Sequence, residues 1–194
     1  MRISEKELED VIYFQQFQNT QDSGLLIYDH TKVVRQLSLG SFGTPDLVGF
    51  DFADENGRLS EVHITIYELK RGDVSFEALC QVQKYKYAVN QLLSSNPIYK
   101  NVECYVSTCL IGYSIDQCVD FMAASAELDI RLYTYESTAK GVVFNRIFNY
   151  KYKPDTYEQT WYGEGKKLNL FKLFDGTQEV KYDSSKNESW ISHK

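Results

Sequence analysis

The sequence predicts an α/β domain in which helices flank a mixed central β-sheet, with core elements in the order αβββαβαβ. Three observations lead to this fold class. Residues 62–69 form a strand-length run rich in β-branched side chains, whereas residues 75–93 carry apolar side chains at helical spacing. Residues 102–135 then read as strand, helix and strand, a succession typical of a parallel strand pair.

The N-terminal segment predicts a helix followed by a pair of short strands. Ser4 and Glu7 have the spacing of a capping box with Ser4 as the N-cap, so a helix is expected from about Glu5 to Phe17. A loop at 19–24 and paired strands at Leu25–Asp29 and Lys32–Leu39 complete this segment.

Two further strands and a helix follow. Residues 41–45 predict a turn and Asp46–Phe52 a strand, while the Asn-Gly pair at 56–57 is a hairpin signal that precedes the strand Val62–Leu69. In the helix expected at 75–93, one face carries Ala78, Gln81, Tyr85, Ala88, Val89 and Leu92.

The second half of the chain supplies the remaining elements. The predicted strand Val102–Ile111, helix Ile115–Ala126 and strand Ile130–Tyr135 form the β-α-β unit, and Gly141–Phe148 is interpreted as a final strand. Residues 1–150 are therefore expected to form one domain. Residues 151–194 are expected to be an aromatic and basic extension packed on that domain.

Composition is that of a soluble folded protein. The 194 residues are 43% hydrophobic and 25% charged, which is ordinary for a globular domain. An apolar run of membrane-spanning length is absent and the polar N-terminus does not resemble a secretory signal, so a cytoplasmic protein without membrane contact is expected. The four cysteines show no C-x-x-C pairing and are interpreted as free thiols, not as a zinc site.

Net charge argues only mildly against nucleic-acid binding. The formal charge is −6, whereas nucleic-acid-binding proteins usually carry a basic surface. Its distribution is uneven, because residues 139–194 hold 10 basic and 7 acidic side chains. A metal site would also account for part of the acidity elsewhere, since a bound cation offsets the charge of its carboxylates.

Asp46, Glu68 and Lys70 form the most informative constellation. The two carboxylates lie at the ends of two predicted strands, and Lys70 follows Glu68 by two residues, so all three side chains can point into one pocket. Carboxylate and carbonyl oxygens are the ligands that Mg²⁺ prefers. A neighbouring ammonium can orient water or offset charge on a phosphoryl group.

These residues resemble the motif of the PD-(D/E)XK nuclease superfamily. Pro45-Asp46 followed by Glu68-Leu69-Lys70 matches the pattern that names the superfamily, and Gly43 supplies the glycine of its G-x-x-D form. Ala78, Gln81 and Tyr85 resemble the helical A-x-x-Q-x-x-x-Y pattern of the RecB-like and NucS-like branches. Glu7-Leu8-Glu9 and Arg35-Gln36 also stand in NucS-like positions, and the resemblance covers roughly residues 4 to 135.

The resemblance implies a restriction-endonuclease-like core and a role for each matched residue. Asp46, Glu68 and the carbonyl of Leu69 are expected to hold Mg²⁺ or Mn²⁺. Lys70 is expected to position the water that attacks in line, leaving a 5′-phosphate and a 3′-hydroxyl. Three further residues are catalytic candidates. Gln81 would orient Lys70 or the scissile strand, Tyr85 would support Gln81, and Glu9 would bind a second metal or a metal-bound water.

Several alternatives remain open from the residues alone. Asp51 is a rival ligand, Gln83 and Tyr87 repeat the spacing of Gln81 and Tyr85, and Glu5 shares a helix face with Glu9. The candidates for contacts with nucleic acid are Arg35, Arg71, Lys151 and Lys153. The aromatic residues around the last two would equally suit a structural edge strand or a homodimer contact.

The sequence therefore predicts a Mg²⁺- or Mn²⁺-dependent deoxyribonuclease, a DNA endonuclease that hydrolyses phosphodiester bonds. The alternative is a nuclease-fold binding or scaffolding module without turnover. The chain contains no P-loop and no G-x-G-x-x-G pattern, which removes the commonest nucleotide-binding classes.

Overall fold

The computed structural model describes residues 2–14, 23–25, 30–55, 58–116, 118–139 and 141–147, and within them it forms three α-helices and six strands. The helices are α1 (Glu5–Phe14), α2 (Phe76–Ser95) and α3 (Val119–Glu127). The strands are β1 (Lys32–Arg35), β2 (Leu47–Glu55), β3 (Arg58–Val74), β4 (Glu103–Ile115), β5 (Ile130–Thr138) and β6 (Gly141–Ile147). Short 3-10 helices occupy Gly40–Phe42 and Pro97–Tyr99.

The strands form one mixed sheet in sequence order, from β1 at one edge to β6 at the other. β3, β4 and β5 are parallel neighbours, connected through α2 and α3, whereas the outer pairs β1–β2, β2–β3 and β5–β6 are antiparallel. The prediction of an α/β fold with a mixed sheet is therefore confirmed. The parallel strands place the carboxyl ends of β3, β4 and β5 at the same edge of the sheet.

Two apolar clusters stabilise the sheet, one on each face. α2 and α3 contribute to the larger cluster, in which Ile66, Val82 and Phe121 are fully buried. α1 contributes to the second cluster through Leu8 and Ile12. On the face of α2 that the sequence singled out, Ala78, Tyr85, Ala88 and Val89 are buried and Gln81 is half-buried, whereas Leu92 is 59% exposed.

The capping box that opens α1 is confirmed. Glu7 N–H donates to Ser4 Oγ over 3.1 Å, and Ser4 N–H donates to Glu7 Oε2 over 2.7 Å. These hydrogen bonds hold the pKa of the exposed Glu7 carboxyl below its ordinary value. Residues 15–17, which the sequence assigns to the same helix, lie outside the described residues, as do 19–22 and 26–29 of the predicted loop and strand.

Several boundaries differ from the sequence prediction. β1 ends at Arg35 and not at Leu39, because Gln36 has a φ of 48° and leaves the extended conformation. α3 begins at Val119 and not at Ile115, because Ile115 is still paired with Val74 in the sheet. β3 is correspondingly longer than the predicted strand, and its pairing with β4 shifts between Lys70 and Asp73.

Within the part of the chain that the structure describes, no helix has the length and apolar character needed to cross a membrane. The predicted extension at 151–194, with Lys151 and Lys153, lies outside that part.

Candidate active site

The structure brings Asp46, Glu68 and Lys70 together on the face of the sheet that α2 covers. Alternate residues of a strand share a face, so Glu68 and Lys70 point to the same side as the buried Ile66. Asp46 immediately precedes β2, which pairs with β3 through Leu47 and Tyr67. The backbone N–H of Leu69 donates to Asp46 Oδ2 over 2.7 Å and so fixes the aspartate beside Glu68.

Glu68 is a buried carboxylate with one oxygen in use. The residue is only 3% exposed. Its Oε1 accepts a 2.7 Å hydrogen bond from Lys70 Nζ. Its Oε2 is buried and has no hydrogen-bond partner among the described residues. Burial, followed by the negative charge of Asp46, raises the pKa of Glu68 to about 7.

Lys70 is held as an ammonium between two acceptors. Burial acts to lower its pKa, but the hydrogen bond and the charge of Glu68 outweigh that effect and the pKa is raised. The second acceptor is Gln81 Oε1, 3.4 Å from Nζ. Because an ammonium has three N–H donors, one remains for a water molecule or a phosphate oxygen.

α2 supports Lys70 through Gln81 and Tyr85. Gln81 Nε2 donates to the hydroxyl of Tyr85 over 2.7 Å, and that hydroxyl donates to the carbonyl of Thr44 over 3.3 Å. The helix therefore connects Lys70 with the loop that carries Asp46.

Gly43 explains why this loop can approach the helix so closely. It has a φ of 108°, and a Cβ built there would lie 3.0 Å from the Tyr85 ring. Only glycine combines that backbone conformation with that contact at low cost.

Gln83 and Tyr87, the second pair with this helical spacing, do not reach the site. Tyr87 is 57% exposed and lies against Phe42. Gln83 lies one turn after the buried Leu79, and its Nε2 is buried, so its side chain does not point freely into solvent.

Glu9 reaches the site from α1, on the other face of the sheet. It is buried, and both of its oxygens accept hydrogen bonds: Oε1 from Arg35 Nε, and Oε2 from Gln36 Nε2 over 3.2 Å. Gln36 Nε2 also donates to Asp46 Oδ1 over 3.3 Å. The amide of Gln36 thus connects Glu9 with Asp46.

The two arginines that were phosphate candidates differ in their surroundings. Arg35 pairs with Glu9 and, over 2.6 Å, with Asp10, so its guanidinium is engaged by carboxylates of α1. Arg71 is exposed directly beyond Lys70, with its backbone N–H on Glu5 Oε1 at 3.0 Å. Because neighbouring residues of a strand point to opposite faces, the side chain of Arg71 lies on the side of α1, near Glu7, and not on the face of Lys70. Glu5 thus accepts a hydrogen bond from the backbone of β3, whereas the hydrogen bonds to Arg35 and Gln36 are made by Glu9.

Asp51 lies away from the constellation. It pairs across the sheet with His63 and accepts a 2.9 Å hydrogen bond from Thr31 Oγ1. It lies four positions along β2 from Leu47, a distance of roughly 13 Å. The structure does not bring this rival ligand to Glu68.

Sequence reasoning did not assign a role to Gln36 or to Asp10. Gln36 was noticed only as the neighbour of Arg35, and its contacts depend on a backbone conformation that no glutamine signals in sequence. Asp10 is one of several acidic residues in α1, and only the position of Arg35 distinguishes it.

The donor set fits a hard divalent cation. Glu68 Oε2 is a buried carboxyl oxygen without a hydrogen-bond donor among the described residues, and burial, followed by the nearby charge of Asp46, raises the pKa of Glu68. Groups of three or more His, Cys, Asp or Glu side chains able to hold a metal do not occur among the described residues. The pair of carboxylates suits Mg²⁺, which keeps several waters and takes one or two protein carboxylates.

Comparison of the chain with known protein families, with curated proteins and with solved structures finds no match.

Proposed function

We propose that this protein is a Mg²⁺- or Mn²⁺-dependent nuclease that hydrolyses phosphodiester bonds, with DNA as its substrate and a restriction-endonuclease-like core. The observation that carries the proposal is the Glu68–Lys70 pair. The ammonium lies 2.7 Å from one oxygen of a buried carboxylate, and the other oxygen has no partner in the part of the chain that the structure describes. Such a pair is suited to a cation and a phosphate side by side.

Each residue has a separate task in this reaction. Asp46 and Glu68, with the carbonyl of Leu69, would hold the cation, which when bound supplies Lewis-acid stabilisation of charge on the phosphate. Lys70 directs its remaining N–H donor at water or at a phosphate oxygen. Gln81 and Tyr85 keep the ammonium in that orientation through the chain of hydrogen bonds that ends at Thr44.

The arrangement favours phosphoryl chemistry over a purely structural ion pair. A structural pair would leave both carboxylate oxygens of Glu68 satisfied, because an unpaired buried acceptor costs free energy. In this protein the buried Glu68 Oε2 has no hydrogen-bond partner among the described residues, so that free-energy cost is present. The nearby negative charge of Asp46 adds electrostatic repulsion. Such an arrangement is typical of a site that is completed by a ligand.

The test combines cleavage and metal binding. Plasmid, single-stranded and branched DNA are incubated with the protein and Mg²⁺, Mn²⁺ or EDTA. Cleavage is expected with either metal and not with EDTA. Calorimetry with Mn²⁺ is expected to show binding that Asp46→Ala abolishes, whereas the exposed Glu77→Gln control on α2 leaves it unchanged.

The second candidate is a nuclease-fold module that binds a partner without turnover. The small number of convergent carboxylates among the described residues favours it. DNA binding without cleavage of any of the three substrates in Mn²⁺ would support this candidate and overturn the nuclease. Equal Mn²⁺ affinity of wild type and Asp46→Ala would overturn the metal assignment itself.

A further inference from the structure

Gln36 has an unusual backbone conformation for its residue type. Its φ is 48°, in the left-handed region, and among the described residues only one other non-glycine residue, Asp129, has a positive φ. This backbone conformation is unfavourable for residues other than glycine, asparagine and aspartate. It persists where surrounding contacts fix it, and such residues cluster at functional sites.

The conformation has a direct geometric consequence. In an extended strand the side chains of neighbouring residues point to opposite faces of the sheet. β1 ends at Arg35, and the turn of the backbone at Gln36 allows both side chains to reach the same carboxylate, Glu9. A strand that continued through residue 36 would direct the glutamine away from Glu9.

The side chain of Gln36 uses its donors on two carboxylates. Nε2 lies 3.2 Å from Glu9 Oε2 and 3.3 Å from Asp46 Oδ1, and the backbone N–H of Gln36 donates to the carbonyl of Asp46 over 2.9 Å. With Leu69 N–H on Oδ2, Asp46 is held by donors at both oxygens. Neither oxygen can rotate away without losing a hydrogen bond.

We propose that Gln36 is a positioning residue that orients Asp46 for the divalent cation and couples Glu9 to the site without making it a ligand. This inference rests on the proposed function for the identity of the cation. Glu9, held by Arg35 and Gln36, then serves as the anchor for the glutamine amide. Residues that orient metal ligands in this way typically contribute ten- to a hundredfold to metal affinity.

The test measures Mn²⁺ affinity by calorimetry, together with the melting temperature, for Gln36→Gly and Gln36→Asn. Glycine suits the positive φ and removes the amide. Asparagine also tolerates the conformation, but its side chain is one methylene shorter and cannot span both carboxylates. Both variants are expected to bind Mn²⁺ about ten- to a hundredfold more weakly without a lower melting temperature. Cleavage by both is expected to recover when Mn²⁺ is raised.

Asp129→Gly is the matched control. Asp129 has a φ of 56° and precedes β5, which β4 separates from β3 and the site. Its replacement changes the same kind of backbone position, and Mn²⁺ affinity is expected to stay unchanged.

The outcomes separate this inference from the proposed function. Wild-type cleavage together with unchanged Mn²⁺ affinity in Gln36→Gly would overturn the role of Gln36 and leave the nuclease in place. A fall in affinity matched by an equal loss of stability in both variants would also overturn it, because Gln36 would then be structural. A wild-type protein that binds no Mn²⁺ would overturn both.

Discussion

Lys70 is the residue on which the proposed chemistry depends most. It is not a metal ligand, because an ammonium has no lone pair. Two of its three N–H groups donate to Glu68 and Gln81, which leaves one for water or a phosphate oxygen. Its contribution is therefore expected to lie in the chemical step and not in the binding of the cation.

Lys70→Ala is expected to reduce DNA cleavage about 10²- to 10³-fold, the usual effect of removing one electrostatic stabiliser. Mn²⁺ affinity is expected to be retained. The measurements are single-turnover cleavage and calorimetry, with the exposed Lys100→Ala as the matched control. Cleavage at the wild-type rate by Lys70→Ala would contradict the role given to the ammonium.

Glu68 makes the stability of the metal-free protein depend on pH. Its pKa is about 7 in the folded protein, because of burial and then Asp46, against 4.5 for an ordinary glutamate. Folding therefore favours the protonated form. The contribution to stability is fully present below about pH 4.5 and is lost as pH rises through 7, a change of at most about 3 kcal/mol.

Glu68→Gln is expected to reduce this pH dependence, because the amide does not ionise. Urea unfolding in EDTA at about pH 5 and about pH 8 measures it, as the difference in free energy of unfolding between the two conditions. Glu77→Gln is the control and should behave as wild type. A difference of the same size in Glu68→Gln and wild type would show that other groups cause it.

At the scale of elements, the site depends on the contact between α2 and the loop before β2. Tyr85 reaches Thr44 only because Gly43 leaves room for its ring. The same helix supplies Gln81 to Lys70, so a shift of this contact would displace both Asp46 and the ammonium.

Gly43→Ala tests this dependence. The added methyl group puts a side chain into a backbone conformation that is essentially restricted to glycine, at a cost of about 1–3 kcal/mol, and contacts the Tyr85 ring, so both stability and cleavage are expected to fall. Gly40→Ala is the matched control, since Gly40 also has a positive φ of 62° but a Cβ there meets no atom within 4 Å. Thermal unfolding and cleavage assays on both variants make the comparison. Equal activity of the two variants would mean that the Tyr85 contact does not position the site.

At the scale of the whole molecule, the surface that holds nucleic acid is a separate question from the site. The described residues offer the exposed Arg71, and the sequence adds the aromatic and basic segment with Lys151 and Lys153, which lies outside the described residues.

Lys151→Ala/Lys153→Ala is expected to weaken DNA binding and to flatten its salt dependence by about two units of log–log slope or somewhat less. Mn²⁺ affinity and the melting temperature should change little, because the site residues lie elsewhere in the chain. Binding measured across a series of salt concentrations gives the slope. An unchanged slope would assign the segment to structure or to a homodimer and move the nucleic-acid surface toward Arg71.

The sequence by itself determined the mixed α/β sheet, the capping box of α1 and the set of residues gathered around Lys70. These depend on local physics, because side-chain periodicity, cap chemistry and the alternation that puts Glu68 and Lys70 on one face are set by neighbouring residues. The expected strand end at Glu68 was wrong, since β3 continues to Val74. The G-x-x-D and Q-x-x-x-Y patterns also named Gly43 and Tyr85, although not the contact between them.

Only the tertiary structure decided how these residues act on one another. The engagement of Arg35 by α1 and the position of Gln36 between two carboxylates join segments that are distant in sequence. The burial of Glu68 Oε2, which has no hydrogen-bond partner among the described residues, likewise depends on the packing of distant elements. Burial and charge at such a point depend on every element that meets there, and the left-handed turn at Gln36 is imposed by those contacts and not by its own residue type.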